Sequence, residues 1–140
     1  MTEIKIFNPH SLPAPKGYSH GALAPEGRLL FVAGQIGCDT HGALVSADLA
    51  EQFERALLNM MEVVRAAGGD AGSVVRLDIY VTDAVQYRTR LKSLGEAYRR
   101  VMGKHFPAMA LVEVNGLFEP TAKVEVEATA VIPRGKDHQR

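Results

Sequence analysis

The sequence lacks the features that would point to a disulfide, a membrane span or a nucleic-acid partner. Its single cysteine, Cys38, excludes an internal disulfide. The 16 Lys and Arg residues balance the 16 Asp and Glu residues, so no net charge favours nucleic acid or an anionic membrane. No apolar run approaches the roughly 20 residues that a membrane-spanning helix needs. A small molecule is therefore the expected partner, and we expect a soluble chain.

The sequence also lacks common metal-binding motifs, a phosphate-binding loop and a secretory signal. The five histidines show no HExxH spacing, there is no CxxC, and no glycine-rich segment has the glycine-lysine-serine ending of a phosphate loop. We therefore expect no metal site and no phosphate loop. The first residues, MTEIKIFNPH, lack the basic-then-apolar order of a secretory signal. With only one cysteine, this favours a reducing, cytoplasmic location.

The size and composition predict one domain. The chain has 140 residues, 46% of them hydrophobic, which is enough to bury a core without disulfides or a structural metal. We assign this domain to residues 1–132. The segment PRGKDHQR at 133–140 has no apolar period, so we expect it to form a mobile C-terminal tail.

Three short strands are predicted before the first helix. Apolar-biased runs over 4–7, 19–23 and 28–34 indicate these strands, and the Ala-Pro-Glu-Gly segment at 24–27 favours a hairpin turn between the last two.

Two helices flank a further strand in the middle of the chain. Asp48 has the position of an N-cap with Glu51 as its capping-box partner, and the helix that follows should end at Gly68-Gly69. Apolar residues alternate with polar ones over 75–81, which predicts a strand with one buried face. A second helix is expected over 83–102. Four of its basic residues lie opposite the apolar stripe and are predicted to form a solvated face: Arg88, Lys92, Arg99 and Arg100.

The last strand carries the most informative pattern. Polar residues from Lys123 to Thr129 alternate with apolar ones, so Glu125 and Glu127 point to the same face. Two carboxylates on one face of a sheet strand require a solvated groove, a cation or a chemical role, and we favour a groove. The order of strands and helices places both helices on one side of a partly parallel sheet. The apolar residues of the other side then require a second subunit.

Three motifs in order resemble the reactive intermediate deaminase (Rid, YjgF-like, RidA) family. They are GYSHG at 17–21, VAGQIG at 32–37, and FPA followed by an alternating strand and the KVEVEATAV strand. The resemblance extends from about Pro15 to Val131. It implies an α+β, chorismate-mutase-like fold with a six-stranded mixed sheet and two helices packed on one face. It also implies a homotrimer with a ligand groove at each subunit boundary.

The resemblance further implies an enamine/imine deaminase, which releases ammonia and a carbonyl product without a cofactor. Glu125 corresponds to the family's water-positioning glutamate and Tyr18 to a tyrosine that lines the groove, which makes them the candidate catalytic residues. Gly34 corresponds to a position where the backbone approaches the ligand. Deaminating members grip the substrate carboxylate with an arginine two residues after the Phe-Pro pair, and Met109 stands there in this sequence.

The remaining candidate substrate-binding residues lie near these motifs. Leu111 faces the same way as Met109 by alternation, so the two would form an apolar wall. His20 is a candidate by its place beside Tyr18, and His105 could also move a proton near neutral pH.

Structural roles for the same residues stay open. Glu125 could be a solvated strand residue or a partner of Lys123 or Arg76 across the sheet. Tyr18 could simply pack at the start of a strand, and Gly34 could mark a bulge.

Two functions remain open. The first is a deaminase for an enamine or imine unlike the short 2-imino acids, because Met109 replaces the clamp arginine. The second is a noncatalytic trimer that binds a small metabolite in the same groove. A nucleic-acid role is not favoured, because the sequence has no aromatic residues interleaved with basic ones.

Overall fold

A computed structural model of the chain describes residues 3–135. The strands are β1 (Lys5–Phe7), β2 (Gly21–Leu23), β3 (Arg28–Ile36), β4 (Val74–Val81), β5 (Ala108–Glu113) and β6 (Val124–Ile132). The helices are α1 (Leu49–Ala66), α2 (Ala84–Thr89) and α3 (Leu91–Met102), with a short 3₁₀ turn at Ala71–Ser73. Of the predicted mobile tail, residues 136–140 lie outside the described residues. Within 3–135, no helix has the length and hydrophobicity that crossing a bilayer requires.

The strands form two sheets rather than the single six-stranded sheet that we expected. Four strands form a mixed sheet in the order β3-β6-β4-β5, in which only the β4–β5 pair is parallel. β1 and β2 pair with each other. The predicted hairpin between β2 and β3 is therefore wrong. The nine-residue β6 offers β3 a far longer partner than the three-residue β2 could.

The first helix begins and ends where the sequence predicted. The carboxylate of Asp48 accepts a hydrogen bond from the Glu51 backbone N–H at 3.0 Å, so the N-cap is confirmed. The capping box is wrong, because the Asp48 backbone N–H donates to the hydroxyl of Ser46 at 2.9 Å instead of to Glu51. After the helix, Gly68 adopts a φ of +98°, which only glycine reaches without strain.

The second predicted helix is two helices. α2 ends at Thr89 and α3 begins at Leu91, and between them Arg90 has a φ of −117° and a ψ of 23°. The guanidinium of Arg90 donates to the carboxylate of Asp48 at 2.9 Å. This contact ties the break between the two helices to the N-terminus of α1. Residues 3–135 therefore contain three α-helices rather than the two that were expected.

The helices cover one face of the four-stranded sheet. The core combines buried residues of α1 and α3, such as Phe53 and Leu94, with one side of the sheet. Directly paired residues of neighbouring strands point to the same face. Leu77 and Ile79 of β4 pair with Met109 and Leu111 of β5, which places all four on the helix-covered face. The predicted alternation of buried and exposed residues over 75–81 holds except at its first residue. The pairing of β4 with β6 is irregular between Val74 and Arg76, so Val74 is buried instead of Val75.

The opposite face of the sheet, here called the open face, carries polar and exposed apolar side chains. Tyr80 of β4 is paired with Glu125 of β6, and Asp78 with Glu127. On the neighbouring β3, Leu29 and Phe31 are 62% and 72% exposed. The open face thus combines three carboxylates, those of Asp78, Glu125 and Glu127, with large apolar side chains that nothing in residues 3–135 covers.

Candidate active site

The carboxylate of Glu125 lies against the backbone of Gly34 on the open face. A Cβ placed on Gly34 would come within 1.9 Å of the Glu125 Oε2 atom and 2.9 Å of its Cδ. The register of β3 against β6 shifts between Val32 and Gln35, so Gly34 lies in a bulge. The absence of a side chain at this bulge therefore lets the carboxylate reach across β3.

Glu125 and Glu127 differ in their surroundings although they share a face. The Tyr80 hydroxyl donates a short hydrogen bond to Glu127, and this bond raises the pKa of Tyr80 to about 12. No hydrogen bond or ion pair joins the Glu125 carboxylate to another residue of 3–135. Arg76, one of its suggested partners, pairs with Asp78 at 2.9 Å instead. Glu125 is therefore the half-buried carboxylate of this face that can bind a water or a ligand.

A cavity of about 630 Å³ lies on the helix-covered side, beside β5. Three of the predicted site residues line it: Tyr18, Met109 and Leu111. Most of the other lining side chains are apolar or aromatic, and burial raises the pKa of one of them, Tyr87, to about 12. Ser19 joins this region to β5, because its backbone N–H donates to the Pro107 carbonyl at 3.1 Å.

The two candidate histidines have different positions. The ring of His20 meets Tyr18 edge to face with centroids 5.3 Å apart, and His20 Nε2 donates to the Pro13 carbonyl at 2.7 Å. The imidazole of His105 donates from Nε2 to the Val74 carbonyl at 2.7 Å, while the His105 carbonyl accepts from Tyr98. His105 therefore braces the chain before β5 and does not line the cavity.

The predicted site residues form two groups on opposite faces of the sheet. Gly34 and Glu125 meet on the open face, whereas Tyr18, Met109 and Leu111 line a cavity that includes neither of them. The two predicted catalytic residues, Glu125 and Tyr18, thus do not share a cavity within one chain. No group of three His, Cys, Asp or Glu residues in the described ranges could hold a metal ion.

Sequence reasoning missed a basic residue at the cavity. Arg99 was assigned with its neighbours to a solvated face, and it is exposed, but it also lines the same cavity as Met109. The sequence feature that could have indicated this position is Gly95. It stands one helical turn before Arg99 and leaves room for its guanidinium.

Comparison with known proteins supports the resemblance of the motifs. The model of the endoribonuclease L-PSP family matches residues 9–132. A human relative named 2-iminobutanoate/2-iminopropanoate deaminase is 35% identical over 115 residues, covering 81% of this chain and 79% of its own. A crystal structure of YyfB from Yersinia pestis, described as a member of the conserved Rid protein family, is 31% identical. Its TM-score is 0.83, over 93% of this chain and 99% of that one.

The chain belongs to the Rid family. The match confirms the family and the α+β fold with its mixed sheet. A further Rid-like structure, E. coli TdcF with bound serine, has a TM-score of 0.64 and 26% identity. It covers 84% of the present chain and 95% of its own.

Proposed function

We propose that this Rid protein is a hydrolytic deaminase that converts a reactive enamine or imine to a carbonyl compound and ammonia. The observation that carries the proposal is the Glu125 carboxylate, which is half-buried over Gly34 and has no partner among the described residues. The deaminase names of the relatives support the same reaction class.

Glu125 can perform the central step of such a reaction. A water bound to its carboxylate adds its oxygen to the imine carbon while Glu125 accepts a proton, and the imine nitrogen takes up a proton. The carbinolamine that forms then breaks its C–N bond. Protonated Glu125 gives its proton to the departing nitrogen, and the hydroxyl releases its own proton to solvent, which replaces the proton that the imine nitrogen took up. Ammonia leaves and the carbon keeps the new oxygen as a carbonyl. Water is the only co-reactant, so the reaction needs no cofactor.

We place the complete site at a boundary between subunits of a homotrimer. Within one chain the Glu125–Gly34 pair and the Tyr18–Met109–Leu111 cavity lie on opposite faces of the sheet, so a neighbouring copy is needed to bring them together. The exposed Leu29 and Phe31 give the open face an apolar surface for that contact. In this arrangement Tyr18 and Gly34 contact the ligand from different subunits.

The substrate should differ from the short 2-imino acids named for the human relative. Met109 and Leu111 offer an apolar wall where the family resemblance expects an arginine. A thioether cannot form the charge-assisted hydrogen bonds that hold a carboxylate.

Ammonia release from a panel of amino-acid-derived imines tests the reaction. We expect a Glu125→Gln variant to lose at least a hundredfold in kcat/KM, because the amide cannot accept the proton from water. Glu127→Gln is the matched control, since Glu127 lies on the same strand and face but is held by Tyr80. Full ammonia release by Glu125→Gln would overturn the assigned base.

Mixing inactive subunits tests the composite site. Glu125→Gln and Tyr18→Ala proteins, each inactive alone, should regain about a quarter of the wild-type activity after joint refolding, because random trimers pair an intact Glu125 with an intact Tyr18 at that fraction of boundaries. No recovery in trimers that contain both variants would contradict a site built across the boundary.

The second candidate is a trimer that binds a metabolite without turning it over. The related TdcF structure contains bound serine, which favours a groove that can hold an amino acid. Ligands that raise the unfolding temperature while no imine of the panel is hydrolysed would support this candidate.

A further inference from the structure

Arg99 lies in the last turn of α3. Its guanidinium folds back over Gly95, where an added Cβ would stand 3.3 Å from Nη1 and 3.9 Å from Nη2. The neighbouring Arg100 pairs with Glu54 at 2.7 Å, but no carboxylate among residues 3–135 pairs with Arg99. An exposed guanidinium that has no partner among these residues is available to an anionic ligand.

The cavity beside Arg99 has the character of a site for an amphipathic anion. Arg99 and Lys16 are the charged side chains that line it within the described chain, and no acidic residue does so. Its walls are apolar or aromatic and include Leu91, Met109 and Leu111. The hydroxyl of Tyr87 has no hydrogen-bond partner in residues 3–135 and adds a polar group to these walls.

We infer that Arg99 holds the carboxylate of a ligand whose apolar or aromatic body fills the cavity along Met109 and Leu111. Arginine suits this role because its planar guanidinium binds a carboxylate through two parallel hydrogen bonds. Gly95 acts as a positioning residue, since a side chain there would press on the guanidinium. The identity of the ligand's reactive group rests on the proposed function. The inference adds the substrate class, which is imines or enamines of acids with bulky apolar side chains.

Equilibrium binding of unreactive 2-oxo acids tests the inference without turnover. The probes are 2-oxo-4-phenylbutanoate, the small acid pyruvate and the uncharged 4-phenylbutan-2-one, each titrated by calorimetry into the wild type and into Glu125→Gln. We expect the phenyl-bearing acid to bind at least tenfold more tightly than either of the other probes. Its affinity should fall as salt is added, because Arg99 is solvent-exposed.

Substitutions at the cavity separate the charge from the packing. Arg99→Met should weaken 2-oxo-4-phenylbutanoate roughly tenfold to a hundredfold and leave 4-phenylbutan-2-one unchanged, whereas Arg99→Lys should retain part of the affinity. Gly95→Ala should weaken the acid several-fold without changing the charge. Arg55→Met is the matched control, because Arg55 is an exposed arginine of α1 that lines no part of this cavity.

The outcomes distinguish this inference from the proposed deaminase function. Arg99-dependent binding without hydrolysis of any imine would support the inference and refute the deaminase. Hydrolysis that Arg99→Met leaves unchanged, or equal effects of Arg99→Met and Arg55→Met on acid binding, would overturn the inference alone. Pyruvate binding as tightly as 2-oxo-4-phenylbutanoate would also overturn it.

Discussion

Oε2 of Glu125 lies where the side chain of any larger residue at position 34 would begin. The Cβ of such a residue would be only 1.9 Å from this atom. Gly34 does not have a positive φ, so an added side chain would not strain the backbone there. A side chain at position 34 would therefore displace the Glu125 carboxylate and leave the backbone unchanged. A substitution at this position tests where the carboxylate must lie without replacing Glu125 itself.

We expect Gly34→Ala to preserve the fold but lower kcat/KM at least tenfold. The atom that must shift is the far end of a flexible side chain, so the free energy of unfolding should fall by only about 1 kcal/mol or less. The displaced carboxylate would no longer position water correctly. Gly21→Ala is the control, because a Cβ there meets its nearest neighbour at 3.6 Å. Thermal unfolding together with ammonia release measures both effects, and unchanged turnover in Gly34→Ala would contradict the role of Glu125.

Met109→Arg should increase activity toward short 2-imino acids. The new guanidinium would enter the cavity beside β5 and could hold a carboxylate, so kcat/KM for 2-iminopropanoate should rise at least tenfold. Met109→Leu keeps the wall apolar and serves as the control. If the wild type already hydrolyses 2-iminopropanoate as fast as Met109→Arg does, the methionine does not determine the substrate.

Phe31→Asp should dissociate the proposed trimer. Phe31 is 72% exposed on the open face, where a neighbouring subunit would bury it, and a buried unpaired carboxylate is strongly unfavourable. Phe118→Asp is the control, since Phe118 is fully exposed in the loop between β5 and β6. Sedimentation velocity measures the masses. A wild type that sediments as a monomer, or a Phe31→Asp protein that stays trimeric, would contradict the proposed interface.

Tyr80→Phe should lower stability at neutral pH by about 1 kcal/mol, because it removes the hydrogen bond to Glu127. The folded-state pKa of Tyr80 is raised from 10.0 to about 12, so its contribution is complete below pH 10 and is lost as the pH rises toward 12. The difference in unfolding free energy between wild type and Tyr80→Phe should therefore shrink over this range. A difference that stays constant from pH 9 to 12 would show that the hydrogen bond contributes nothing.

Local patterns predicted the elements better than their pairing. The N-cap at Asp48 and the stop at Gly68 follow from short-range hydrogen bonding and backbone conformation, which a few residues determine. The break at Arg90 depends on the distant Asp48, and the partner of β3 depends on a strand nearly a hundred residues away. No local pattern contains either contact.

The sequence predicted which strand face some of the candidate residues occupy, but not how these residues are arranged relative to one another. Period-2 alternation placed Glu125 and Glu127 on one face, as the sheet register confirms. Alternation alone could not show that Met109 lies on the other face, because that depends on how β5 aligns with β4. Nor could it show that Tyr80 donates to Glu127, while Glu125 has no hydrogen-bond partner within residues 3–135.

The place of β6 in the sheet also constrains when the protein can fold during synthesis. β6 lies between β3 and β4, yet it is the last of the described strands to be translated. Until residues 124–132 emerge from the ribosome, β3 has no partner in the sheet and β4 is paired on one side only. The nascent chain must therefore keep two unpaired strand edges from aggregating until the final strand inserts between them.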